Sequence, residues 1–455
     1  MSNIAVEGWP SRFCRVADPR RLQDRLVLVA LVALYYGTFI WSYRELLEPW
    51  QSFWGFGRSE LGTEYWILNW MMVLLPALWM PMELRRPSQL LFMCQYLVLF
   101  VPATLVLYST DLPRLSPDEA LAYLLAMFVG LTIMQAIYLL PLVRLPEIQV
   151  RPWLFWGGFL AMTLALLALV VMFLGANLQF IGLMAIHTVR RDAAQMLQAQ
   201  GGPLVLYAMS WFAGVSLPVL FAVSVYRRSV LVACAVLAAY VFLFGVSGTK
   251  TAMLAVVMLG AAALVSSGRG ARFSHLFLLG ISLLLAFPVI FDAFGEVGRE
   301  LQRLYVSFVH ARIFGVPQLV MAQYIGFFAQ HPETAWSQVA GIGAFVSDPY
   351  DMDLPSTLGH FFYGTPVGLN AGLWAQDGIA AGGMPALLFM SIVAAGVLWI
   401  FDSMAARVPP RFAFIAVTVI GVSFMNIPLP TTLVTAGMAL LAVLMYLAPH
   451  IPERR

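Results

Sequence analysis

Between Phe291 and Gln376 the chain gathers side chains able to do chemistry: Arg299, Arg303, His310, Arg312, His331, Asp348, Asp351, Asp353 and His360. A guanidinium holds a phosphate through a planar pair of N–H donors. A histidine or carboxylate poised near the working pH takes a proton from a hydroxyl. Cations and candidate bases in one stretch suit a reaction in which an anionic group departs while a hydroxyl attacks.

His360 stands just before Phe361-Phe362-Tyr363-Gly364-Thr365-Pro366, with Asn370, Trp374 and Asp377 downstream. It reads either as a general base toward a sugar hydroxyl or as a solvated loop histidine. Asp377 reads as a second catalytic carboxylate or as a charge favoured at a helix N-terminus. His310, His331 and Asp353 stand in reserve. Arg299, Arg303 and His310 fall on one face of a helix at about 100° per residue, with Leu301, Leu304 and Phe308 opposite. The same wheel puts Arg312 among the apolar positions, with Gly315 and Pro317 closing the helix. A cation there needs a partner: a phosphate, or one of Glu296, Glu300 and Glu333.

Two further cationic places lie outside this stretch. His187, Arg190 and Arg191 share one side of a short amphipathic segment within 185–200. They contact lipid headgroups or guide an anionic lipid. The turn Ser247-Gly248-Thr249-Lys250-Thr251 carries the sole lysine of the chain, with Thr249 as the expected N-cap. Amides at a helix N-terminus and an ammonium make a small anion site; the alternative is a lysine snorkelling at a helix end.

The elements that must position these residues are apolar. Hydrophobic residues make up 61% of the 455 and charged ones 11%, which excludes an ordinary soluble domain. Runs of about 20 apolar residues can cross a hydrocarbon core as helices. The sequence predicts an all-α polytopic membrane protein of about twelve spans: 26–42, 66–82, 89–109, 118–140, 153–175, 203–226, 229–246, 251–266, 274–292, 377–401, 411–427 and 430–448. The chain reads as a single transmembrane domain, 1–455, with a smaller outer loop at 176–202 and a large one at 293–376. Cys14, Cys94 and Cys234 form neither a disulfide framework nor a metal motif, and no removable signal peptide is read. Basic pairs at Arg85-Arg86, Arg227-Arg228 and across Arg407 and Arg411 mark one face as cytoplasmic, with both termini. The two loops then lie outside.

Three places in this pattern resemble the bacterial O-antigen and exopolysaccharide repeat-unit polymerases (Wzy type), whose architecture is shared by the O-antigen ligases. They are Val246–Ala252 (VSGTKTA), Arg312-Ile313-Phe314-Gly315 followed by Tyr324 and Phe327-Phe328, and Asn370–Gly383 (NAGLWAQDGIAAGG). Lys250 stands where many relatives carry arginine, and His360 has no secure counterpart of the ligases' catalytic histidine. The resemblance implies an inner-membrane glycosyltransferase of GT-C-like architecture with a periplasmic active site. It would pass a growing glycan from undecaprenyl pyrophosphate to a non-reducing-end hydroxyl on a lipid-linked repeat unit. Under it Arg312, Lys250, Arg190, Arg191, Arg299 and Arg303 hold the pyrophosphate. His360, Arg312 and Asp377 are catalytic, and Tyr324, Tyr363, Asn370 and Trp374 meet sugar. The implied partners are the lipid-linked oligosaccharide, the bilayer, a chain-length regulator and a flippase, with no nucleic acid. No cofactor or metal is expected, because Asp351-Met352-Asp353 has the form of a metal motif but cations already serve the leaving group. Alternatives are an O-antigen ligase, or a flippase or transporter, which would show repeated halves, broken helices or mid-membrane charges.

Overall fold

The computed structural model describes residues 19–50, 55–58, 61–179, 202–268, 272–365 and 367–451. The described chain is all helical, and eight of its helices are long and apolar enough to cross a membrane: Leu22–Leu47, Ser88–Val106, Pro117–Leu139, Pro152–Asn177, Gly202–Arg227, Val230–Ser247, Phe273–Phe328 and Leu373–Arg407. Thr251–Val265, Pro410–Asn426 and Met438–Leu447 are apolar but shorter. The expected span at 66–82 is a helix over Thr63–Leu74 continued by a 3-10 turn to Leu78.

Local signals set several helix starts. Ser116 accepts from the Glu119 amide, Pro117 follows it, and Asp118 and Glu119 occupy the positive first turn. Ser229 caps Val230–Ser247 in the same way. Burial then decides the layout. Ser88–Val106 is almost wholly buried, and Pro410–Asn426 buries every residue from Phe412 to Gly421. These two helices touch each other and form the centre. Pro117–Ala136 packs on Ala380–Met404, Leu217–Arg227 and Lys250–Val265 on Pro410–Asn426, and Arg272–Ala286 on Pro19–Ser42. Buried polar side chains link the layers: Asn69 donates to the Thr104 carbonyl at 2.8 Å, and the Ser88 hydroxyl to Asp402 at 2.7 Å. In an apolar interior each such bond is costly to break.

The stretch expected as one large loop, 293–376, is not one loop. Gly295 turns the chain, and the amphipathic helix Gly295–Tyr305 folds back along the preceding 3-10 turn. Gln302 donates to the Pro288 carbonyl and to Asp292, and the Tyr305 hydroxyl to the Leu284 carbonyl. Gly315 and Pro317 do not close a helix. Instead Val306–Gly315 is π-helical and runs on into Val316–Phe328, whose residues from Gln318 to Ile325 are all buried. Gln318 donates to the carbonyls of Val98 and Leu99 in the central helix. Only the part after Phe328 lies over the bundle as a connecting segment.

Candidate functional site

The site is built where this segment settles on two helix ends. At the end of Val316–Phe328, the chain turns and places His331 one helical turn beyond Phe327. The Phe327 carbonyl can only accept, so His331 Nδ1–H donates to it at 2.9 Å. The neutral imidazole then carries its lone pair on Nε2. The two rings stack, centroids 4.0 Å apart and 2° from parallel. Phe361 stands edge-on to both, 5.2 Å from Phe327 and 5.1 Å from His331. Tyr350 closes the group 5.7 Å from Phe327, and its hydroxyl donates to the Pro332 carbonyl at 2.6 Å. Burial, reinforced by Asp348, raises the Tyr350 phenol to about 12. Phe361 and Tyr363 remain 53% and 43% exposed, which leaves aromatic faces open to a ligand.

Leu354–Tyr363 carries Phe361 and is fixed at both ends. Asp353 accepts from the amide and hydroxyl of Ser356, and the Leu354 amide donates to the Gln338 side chain. Gly364, at φ 68°, forms the left-handed C-cap, its amide donating to the His360 carbonyl. A Cβ on Gly359 would come 1.9 Å from the Val367 carbonyl oxygen, so the following strand of chain lies directly on this helix.

The second anchor is a break in Ala380–Met404. Gly382 and Gly383 leave helical geometry, Gly383 at φ 62°. The carbonyls this exposes are met by the segment: the Thr334 amide donates to Ala380 O at 2.7 Å, the Ala335 amide to Ala381 O at 3.2 Å, and Trp336 Nε1 to Asp377 O at 2.9 Å. Ala335 and Trp336 hold φ of 46° and 60°. Side chains at positive φ persist only where the surroundings over-determine them. A Cβ on Gly383 would lie 3.3 Å from Glu333 Oε1, so an exposed carboxylate sits over the break.

The residues singled out from sequence fare unequally. His360 is exposed on the last turn of Leu354–Tyr363 and, among the described residues, its side chain has no partner. It neighbours Phe361 and so borders the His331 group. Tyr363 is exposed and accepts from Gln323 at 2.7 Å; Asn370 is exposed.

Tyr324 and Trp374 do not meet sugar in this arrangement. Both are fully buried, Tyr324 donating to Leu369 O and Trp374 to Ser391 with its ring against Phe100. Asp377 is 2% exposed, and its Oδ2 accepts from the Leu429 amide at 2.6 Å. It holds the start of the short helix Leu429–Val434 and is not open to a substrate.

Among the described residues the cations do not converge. Arg299 and Arg303 are exposed and paired with Glu296 and Glu300 of their own helix, at 3.4 and 2.8 Å. His310 is separated from them: it is buried, with Nε2 donating to Leu285 O. The cause is the π-helical stretch, whose wider turn breaks a wheel drawn at 100° per residue. The same shift brings Arg312 to the surface. Arg312 precedes Val316–Phe328 and His331 follows it, so the two stand about 20 Å apart along the helix axis. Thr249 takes the N-cap position before Lys250–Val265, but its hydroxyl bonds to Ser247 at 2.8 Å and caps nothing. His187, Arg190 and Arg191, and the Lys250 side chain, lie outside the described residues.

From sequence alone His331 stands only in reserve and Glu333 only as a partner for Arg312. The adjacent Gly382-Gly383, followed by Pro385, was the signal that a span would break and expose carbonyls for a docking segment. Among the described residues no three His, Cys, Asp or Glu side chains gather as metal ligands. Compared with protein families, curated proteins and solved structures, the chain matches none.

Proposed function

We propose that this membrane protein is a bacterial polysaccharide polymerase of the inner membrane, its termini cytoplasmic and its Phe328–Gly372 segment periplasmic. It transfers a growing glycan from undecaprenyl pyrophosphate to the non-reducing-end hydroxyl of a lipid-linked repeat unit. The full complement of twelve spans and the GT-C-like architecture belong to this reading. So do a flippase that supplies the substrate and a regulator of chain length.

One observation carries it: His331, donating from Nδ1 to Phe327 O, stacked on the buried Phe327 ring and edge-on to the exposed ring of Phe361. Proton transfer from an acceptor hydroxyl to Nε2 makes that oxygen a nucleophile toward the donor's anomeric carbon, whose bond to the phosphate oxygen breaks as undecaprenyl pyrophosphate leaves. Phe361 and Tyr363 offer faces for the sugar, and Glu333 offers a hydrogen-bond acceptor for its hydroxyls. Arg312 is a helix length from His331, so we assign it to the approach of the anionic lipid carrier and not to the reacting carbon. The test is polymer synthesis by purified His331→Ala and Arg312→Ala proteins supplied with lipid-linked repeat unit. The reading expects turnover to fall in the first and donor affinity in the second.

A transporter would use a discontinuous helix such as the one at Gly382–Gly383 to bind its cargo. Here the exposed carbonyls of Ala380 and Ala381 already accept from Thr334 and Ala335, so the break serves as an anchor for the segment.

A further inference from the structure

An apolar groove of about 420 Å3 runs along the outside of the bundle between Pro19–Ser42 and the helix beginning at Thr63. Its lining includes Val29, Trp66, Trp70, Met71, Leu74 and Leu78. From Thr63 to Leu78 it is about 22 Å long at the helical rise, enough to take a chain crossing one leaflet of a hydrocarbon core about 30 Å thick.

The two ends of the groove differ in charge. At the Leu78 end, Arg25 donates to the carbonyls of Ala77 and Met80 and is engaged by the protein. At the Thr63 end, the exposed Arg44 lies over the Trp66 ring, 5.7 Å from its centroid. No described carboxylate is within ion-pair distance of Arg44. Of the acidic groups at this end, Glu48 faces Arg58 at 3.9 Å and Asp118 accepts from the Tyr65 hydroxyl at 2.6 Å, while Glu45 and Glu64 are exposed and neither is paired with Arg44. A guanidinium stacked on an indole keeps its edge N–H donors open.

We infer that this groove holds one hydrocarbon chain of an anionic phospholipid whose phosphate is bound by Arg44. The apolar length fits the chain, and of the two described cations at its ends Arg25 is taken up by backbone carbonyls while Arg44 stands where a headgroup would be. The inference does not depend on the polymerase reading.

The test is native mass spectrometry of the full-length protein in detergent, titrated with phosphatidylglycerol or phosphatidylcholine. Wild type should bind the first phosphatidylglycerol about five-fold more tightly than phosphatidylcholine, as expected for one basic group at a lipid surface. Arg44→Gln should erase that preference and Arg44→Lys should keep part of it. Val29→Trp, which fills the groove, should weaken the first binding event for both lipids. An undiminished preference in Arg44→Gln, or unchanged binding of both lipids in Val29→Trp, would overturn the inference.

Discussion

His331 lies flat on Phe327, the residue one helical turn before it, and donates a hydrogen bond to the carbonyl of that same residue. One partner thus fixes both the tilt of the imidazole and its tautomer. Replacing His331 by Gln keeps a donor for Phe327 O but removes the Nε2 lone pair. Turnover of His331→Gln should therefore match that of His331→Ala, while its thermal stability in detergent stays nearer wild type. Differential scanning fluorimetry alongside the polymer assay separates the two effects.

Asp377 is a clamp in this account. Asp377→Asn retains a carbonyl oxygen for the Leu429 amide and should remain active. Asp377→Ala leaves that buried amide without a partner and should cost about 1–3 kcal/mol of stability. Loss of activity in Asp377→Asn at full stability would return the residue to the reaction.

The helix carrying His360 and Phe361 can be displaced from within. A methyl on Gly359 would collide with the Val367 carbonyl, a backbone group that cannot swing aside. Gly359→Ala should cost about 1–3 kcal/mol, confined to the segment. Limited proteolysis should then cut within 345–370 faster than in wild type, with the apolar bundle still protected.

Alkaline pH should act through Tyr350. Its phenol loses its proton at about 12 in the folded protein, against 10.0 ordinarily. The stabilisation is therefore complete below pH 10 and disappears as pH rises from 10 to 12. Deprotonation also removes the donor to the carbonyl of Pro332, the residue that follows His331. Protease resistance of the segment should fall across that window in wild type and change less in Tyr350→Phe.

Arg312 and the pair Arg299 and Arg303 should part company kinetically. Arg312→Ala should raise the KM for the lipid-linked donor roughly tenfold, the loss of one charge-assisted contact, with kcat nearly unchanged. Arg299→Ala and Arg303→Ala should alter neither by much, because each guanidinium is exposed and already faces a glutamate. A kcat collapse in Arg312→Ala would place that residue at the reacting carbon.

Helix positions were legible because membrane helices announce themselves by length and by their breaks. The expected 153–175 and 229–246 appear as Pro152–Leu174 and Val230–Ser247, each started by a proline or a capping serine. The site was less legible because it depends on register and depth. A helical wheel joins His310 to Arg299 and Arg303, but π-helical turns over Val306–Gly315 carry it into the core. Tyr324 and Trp374 have the composition of a sugar platform, yet Val316–Phe328 takes Tyr324 into the bundle and Leu373–Ile379 seats Trp374 against Phe100 and Ser391. Asn370 and Tyr363, beyond the buried stretches, are exposed as a sequence reading of the segment expects.

The most direct measurement is the ladder of products formed by purified protein from undecaprenyl-pyrophosphate-linked repeat units, with EDTA present, resolved by gel. Wild type should give a ladder, and His331→Ala a fall in kcat of about 10²–10⁴-fold with the variant still folded and inserted. A ladder of wild-type length and rate from His331→Ala, or none from wild type while lipid-linked units cross the bilayer, would contradict it.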